Sequence, residues 1–155
     1  MWSRRNYNQV DDLWGTYAQF SGRWYCQVNI YLLNFEKLHY RILRIWSLED
    51  WEEIKSLRHP AAVRDFSADP SGKVLLTIAN DKTLRAWDLT RGREAFTKSF
   101  RDQPERVLWG PDGRRYALQL TATLLQIQTL EESKEKIQIL CKDRIMDVKF
   151  FRFQN

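Results

Sequence analysis

The amino-acid sequence predicts an all-β chain, and three observations lead to that class. Short β-prone segments alternate with tight turns rich in Pro, Gly and Asp. No segment after residue 40 shows a sustained helical period. Turn and apolar positions alike recur at a spacing of 41 residues.

Residues 1–40 read as a leader outside the repeat, with its order in doubt. Trp2, Tyr7, Trp14, Tyr17, Phe20, Trp24 and Tyr25 keep no period. A weak helix over Asp11–Phe20 and a strand within Gln27–Phe35 are the only elements expected there. From Arg41 a strand through Leu43, Ile45 and Trp46 ends at Leu48, and a second covers Trp51–Leu57 before His59-Pro60 breaks it. Val63–Ala68 and Val74–Ala79 flank Asp69-Pro70-Ser71-Gly72-Lys73. There Pro presets the turn backbone and Gly supplies the positive φ at its exit. Thr83–Leu89 and Ala95–Phe100 follow. The pattern restarts at Val107-Leu108-Trp109, turns at Pro111-Asp112-Gly113-Arg114, and continues through Tyr116–Ala122, Leu124–Leu130 and Ile137–Leu140. Ile145–Phe151 is expected to begin one more strand.

The repeat is exact in phase. Trp87 follows Trp46, Pro111 follows Pro70 and Gly113 follows Gly72, each by 41 residues. Apolar triplets keep the same step: Leu43, Leu84, Leu125; Leu48, Leu89, Leu130; Phe66, Val107, Val148. Four short strands per unit of about 40 residues is the build of a β-propeller blade. The chain is therefore expected to be a partial β-propeller of two complete four-stranded blades and two incomplete ones, occupying 41–155. Residues 41–58 supply the two outer strands of an earlier blade, and 145–151 the inner strand of a later one. Propellers close with at least four blades. The expected explanations are a shortened product, assembly with another chain, or an open array, in that order.

Composition sets the outer limits. With 43% hydrophobic and 29% charged residues, the chain has the makings of a packed core. A net charge of +5 does not by itself mark a nucleic-acid surface. Cys26 and Cys141 form neither a disulfide framework nor a metal motif. No signal-peptide core or membrane-spanning run is read, so an intracellular location without membrane contact is expected.

His59, Thr77, Asp81 and Trp87 bring together an imidazole, a hydroxyl and a carboxylate, which invites a catalytic assignment. Their placement at a strand entry, within a strand, in a tight turn and in the third strand favours a buried structural hydrogen-bond set instead. The next blade lacks it, carrying Phe100, Leu118, Ala122 and Gln128 at those positions. Ser71-Gly72-Lys73 is no phosphate loop, because it joins two strands and lacks the preceding glycine. Arg91 and Arg93, flanking Gly92, are the candidate contacts for an acidic partner, against the plainer reading of a solvated turn. No catalytic, metal or cofactor residues are expected.

The 41-residue phase, Ile45-Trp46 and Trp87-Asp88 resemble the WD-repeat proteins. D-W-E-E-I-K-S-L (50–57), D-P-S-G-K (69–73), N-D-K-T-L-R-A-W-D-L (80–89) and G-R-E-A-F-T-K (92–98) resemble the PAK-interacting, nucleolar branch of that family. The resemblance covers about residues 43–151 and leaves out 1–40. It implies a non-enzymatic scaffold acting in large ribosomal subunit assembly and restraint of PAK-type kinase signalling. The implied partners are pre-ribosomal assembly factors and a PAK-type kinase, with RNA association only indirect, in the nucleus and nucleolus. The alternatives are a general signalling adaptor or a truncated isoform without function.

Overall fold

The computed structural model describes residues 27–28, 41–46, 52–130 and 136–150. The expected Asp11–Phe20 helix and nearly all of the leader lie outside them. The described chain forms eleven strands in three antiparallel sheets. The first holds β1 (Gln27–Val28), β2 (Ile42–Trp46) and β3 (Glu53–Arg58) in that order. The second runs β4 (Val63–Ala68), β5 (Val74–Ala79), β6 (Thr83–Asp88), β7 (Arg93–Ser99), and the third β8 (Arg106–Trp109), β9 (Arg115–Gln119), β10 (Leu124–Thr129), β11 (Ile137–Leu140). The last two are the complete four-stranded blades. The Gln27–Val28 pair adds a third strand to the first blade, where two were expected.

The repeat extends from sequence to hydrogen bonds. The amides of His59, Phe100 and Cys141 donate to the carbonyls of Arg41, Lys82 and Thr123, each bond 41 residues after the last. Register repeats likewise: Leu75 faces Trp87 as Tyr116 faces Gln128, and Leu84 faces Lys98 as Leu125 faces Ile139.

Period-two alternation lets the second blade bury both faces of β5 and β6. Leu75 and Trp87 point one way and pack with Leu43, Ile45, Leu57 and Phe66. Leu76, Ile78, Leu84 and Ala86 point the other way, onto Val107, Trp109, Tyr116 and Leu118 of the third sheet. Each buried aliphatic side chain here contributes about 1.5–3 kcal/mol. The outer strand β7 is mostly exposed and charged, which discourages further pairing along that edge.

The inner strands of neighbouring blades share no ladder, so side chains join them. Asp65 Oδ2 accepts the Val107 amide at 2.9 Å, and Ser67 Oγ accepts the Trp109 amide at 2.9 Å. Burial raises the Asp65 carboxyl pKa, while this amide and nearby Arg106 favour its ionised form. Asp65→Ala leaves the Val107 N–H without its acceptor. A loss of about 1–3 kcal/mol, read as a lower urea midpoint, is expected.

Two expected strands are corrected. Tyr116–Ala122 ends at Gln119, because Thr121 Oγ1 accepts the amides of Thr123 and Leu124 and turns the chain. The Ile145–Phe151 strand is not formed over its described part, 145–150. A strand exists through its ladder, and no described residues supply the second strand of that blade.

Candidate functional site

The polar centre of the second blade is a directed chain of hydrogen bonds. The Leu57 carbonyl can only accept, so His59 Nδ1, 3.1 Å away, carries the proton and donates to it. Neutral His59 then accepts at Nε2 from the Thr77 hydroxyl, at 2.8 Å. Thr77 Oγ1 in turn accepts the Trp87 indole N–H at 3.0 Å. The imidazole and indole rings lie 4.9 Å apart at 58°. His59, Thr77 and Trp87 are all buried. Burial is the main cause holding the His59 pKa below its ordinary value, and the Arg85 charge adds to it.

The chain has three members. Asp81, expected as the fourth, is held instead by Thr83 Oγ1 at 2.6 Å and by Arg85, whose Nη2 reaches Oδ2 at 2.7 Å. Arg85 also stands 3.4 Å from Glu94. The reason is local: Arg85 and Thr83 project from β6 beside the turn and offer charged and hydroxyl donors to Asp81. Burial raises the Asp81 pKa, but these donors outweigh it and leave the carboxyl below the ordinary value. The imidazole, hydroxyl and carboxylate are thus divided between two structural clusters, and every donor in the His59 chain already has its acceptor.

The third blade has no counterpart chain. Leu118 and Gln128 stand where Thr77 and Trp87 would be, and apolar contacts hold the sheet, with Trp109 and Tyr116 stacked at 5.8 Å. Gln128 Oε1 accepts from Lys98 Nζ at 3.2 Å, while Gln128 Nε2 and Trp109 Nε1 are buried without a protein partner among the described residues.

At one end of the blades, an aspartate carboxylate pins each Pro-Gly turn by accepting its backbone amides. In the first Pro-Gly turn, Asp69 accepts the amides of Ser71, Lys73 and Val74. Its counterpart 41 residues on is Gly110, where a Cβ would meet the Arg115 carbonyl at 2.8 Å. Asp112 takes over there, accepting the amides of Arg114 and Arg115 and pairing with the Arg115 guanidinium at 2.9 Å. Burial opposes ionisation of Asp112, yet these donors bring its pKa down to about 2. Gly72 and Gly113, at φ 71° and 67°, close the two turns in the left-handed conformation.

Asp88 pins the next turn through Thr90 and the Arg91 amide, and Arg91 Nε lies 3.7 Å from Asp88 Oδ2. Of the two candidate contact residues, Arg91 is therefore partly engaged within its turn. The Arg93 side chain is exposed and enters no hydrogen bond or ion pair among the described residues. No three His, Cys, Asp or Glu side chains among the described residues gather closely enough to hold a metal ion.

No protein-family profile matches the chain. It is 38% identical over 112 residues to a p21-activated protein kinase-interacting protein 1-like protein of Danio rerio, which covers 72% of this chain and 30% of the relative. Ribosome biogenesis protein ERB1 of Saccharomyces cerevisiae is 36% identical over 61 residues, 35% of this chain and 8% of that protein. Among solved structures, the β-propeller domain of Myceliophteria thermophila Cps50 (Swd1) superposes with a TM-score of 0.59 over 81% of this chain and 38% of that one, at 17% identity, which establishes the fold. This chain spans about a third of the kinase-interacting relative's length. Shared sequence, repeat phase and blade geometry make it a partial WD-repeat β-propeller, homologous over 72% of its length to the p21-activated protein kinase-interacting proteins.

Proposed function

We propose that the chain is a non-catalytic protein-interaction scaffold of the type acting in large ribosomal subunit biogenesis and in negative regulation of PAK-type kinases. The observation that carries this reading is the closed His59–Thr77–Trp87 chain. The imidazole and hydroxyl that would serve catalysis are buried and spoken for by structural bonds. The kinase-interacting and ribosome-biogenesis names of the relatives support the finer assignment. The proposal includes a nuclear, chiefly nucleolar location and RNA association only through protein partners. Pull-down from nuclear extract with the folded chain is expected to recover pre-ribosomal assembly factors. Recovery of none would refute this assignment.

A general signalling adaptor is the second reading, favoured by the kinase-interacting name alone. Direct binding to a PAK-type kinase in the absence of ribosomal factors separates the two. Arg91 and Arg93 are the proposed contacts for an acidic partner surface, with Arg93 the stronger because its charge is not shared within the turn. Arg93→Glu is expected to weaken partner binding about fivefold or more, mainly in the association rate at low salt, with the melting temperature unchanged. Surface plasmon resonance at two salt concentrations checks this.

A further inference from the structure

One position of the outer strand departs from the repeat. The 41-residue step carries Lys55 onto Phe96 and Ile137, and the ladders agree: Lys55 faces Ile45, Phe96 faces Ala86 and Ile137 faces Ile127. Phe96 packs against the apolar core between the second and third blades. The first blade places a lysine there instead, beside its contact with the second. A lysine can lay its apolar stem along such a margin only if its ammonium escapes to a polar partner. Lys55 finds that partner on the second blade, where Nζ donates to the Thr90 carbonyl at 3.2 Å.

The receiving turn leaves room for it. The Lys55 side chain lies over Gly92, where a Cβ would meet Nζ at 3.2 Å and Cδ at 3.4 Å. The ammonium is thus carried across the joint between two blades into the turn that holds Arg91 and Arg93 on either side of Gly92. The carboxylates around it are taken by other cations: Asp88 by Arg91, Glu94 by Arg85 and Glu53 by Arg44. Among the described residues, Lys55 and Arg93 enter no ion pair.

The repeat also limits the ligand. At the positions of Arg91 and Arg93, the first blade carries Asp50 and Glu52, and the third Glu132 and Lys134. Paired arginines at this turn therefore belong to the second blade alone. A continuous phosphate backbone passing from turn to turn would meet acids before and after the arginines. A short acidic stretch of polypeptide fits the second-blade turn and is repelled by its neighbours, which fixes its register.

We propose that Lys55 joins Arg91 and Arg93 in one anion-binding site shared by the first and second blades, and that its occupant is a short acidic segment of a partner protein. This rests on the acidic-partner reading of Arg91 and Arg93, and adds to it a residue from another blade and a limit on the ligand. The test is fluorescence anisotropy of a labelled hexaglutamate peptide titrated with the full chain, with a single-stranded RNA hexanucleotide in parallel. At low salt the chain is expected to bind the peptide more tightly than the RNA. Lys55→Met, which keeps an apolar stem over Gly92, is expected to weaken peptide binding about fivefold with the melting temperature unchanged, and Lys55→Glu to weaken it further. If Arg93→Glu weakens binding and neither Lys55 variant does, the inference fails and the acidic-partner reading stands. If the wild-type chain does not bind the peptide, or no variant changes its binding, both fail. A loss at Lys55 without one at Arg93→Glu, or one matched by a fall in melting temperature, would overturn the shared site. RNA bound as tightly as the peptide, with the same loss in Lys55→Met, would overturn the choice of occupant.

Discussion

Trp87→Ala is expected to destabilise the chain by about 3–5 kcal/mol, the largest single-residue effect in the fold. The indole is buried among Leu43, Ile45, Leu57, Phe66 and Leu75, so truncation opens a cavity between the first and second sheets. It also removes the N–H that Thr77 Oγ1 accepts. Trp87→Phe isolates the second effect: most of the ring volume stays and the bond goes, for a cost of about 1–2 kcal/mol. Trp109→Phe provides the contrast. Trp109 is equally buried, but its Nε1 has no protein acceptor among the described residues, so losing that group is expected to cost less than about 1 kcal/mol. Urea midpoints of the three variants give the order directly. If Trp109→Phe costs as much as Trp87→Phe, the Thr77 bond contributes nothing.

Acidification below pH 6.5 is expected to weaken the fold through His59. The folded chain holds the imidazole neutral, because burial lowers its pKa and its Nε2 accepts from Thr77. Protonation turns Nε2 into a donor, so Thr77 Oγ1 faces two N–H groups and its own proton loses its acceptor. The unfolded chain takes up the proton near pH 6.5 and the folded chain only at lower pH. Between those values the unfolded state binds more protons, so stability falls as pH falls. The limiting slope is about 1.4 kcal/mol per pH unit. Asp65 acts in the opposite sense just above 3.8, since burial raises its folded pKa. A His59→Gln variant, less stable at pH 7.5, is expected to show little further loss at pH 5.5. Equal pH slopes in the two proteins would remove His59 as the cause.

The parts legible from sequence are those where one residue type meets one geometric need. Gly72 and Gly113 stand where φ is positive, and Val63–Ala68, Val74–Ala79 and Ile137–Leu140 form over their expected bounds. The 41-residue phase carries the blade order because it specifies apolar faces and turns together. Competition among neighbours is not legible in the same way. The sequence offers Asp81 to His59, but Thr83 and Arg85 lie nearer on the adjoining strand and take it. The joints between inner strands are less legible, although Asp65 and Ser67 give a signal: polar residues two apart on one face of β4 that are only half-exposed. The handover from Asp69 to Asp112 is hidden for a related reason. The two turns match at Pro and Gly, while the carboxylate that pins them sits at different positions. Residues 145–150 show the limit of a local reading, since β-prone residues do not make a strand without a ladder partner.

Amide hydrogen exchange on the intact chain tests the stacking of the second and third blades most directly. If Leu76, Ile78, Leu84 and Ala86 are sealed by Val107, Trp109, Tyr116 and Leu118, the amides of β5, β6 and β9 exchange slowest and together, while β7 and β11 exchange faster. Slow exchange confined to one sheet, or fast exchange throughout both, would contradict the stacked blades.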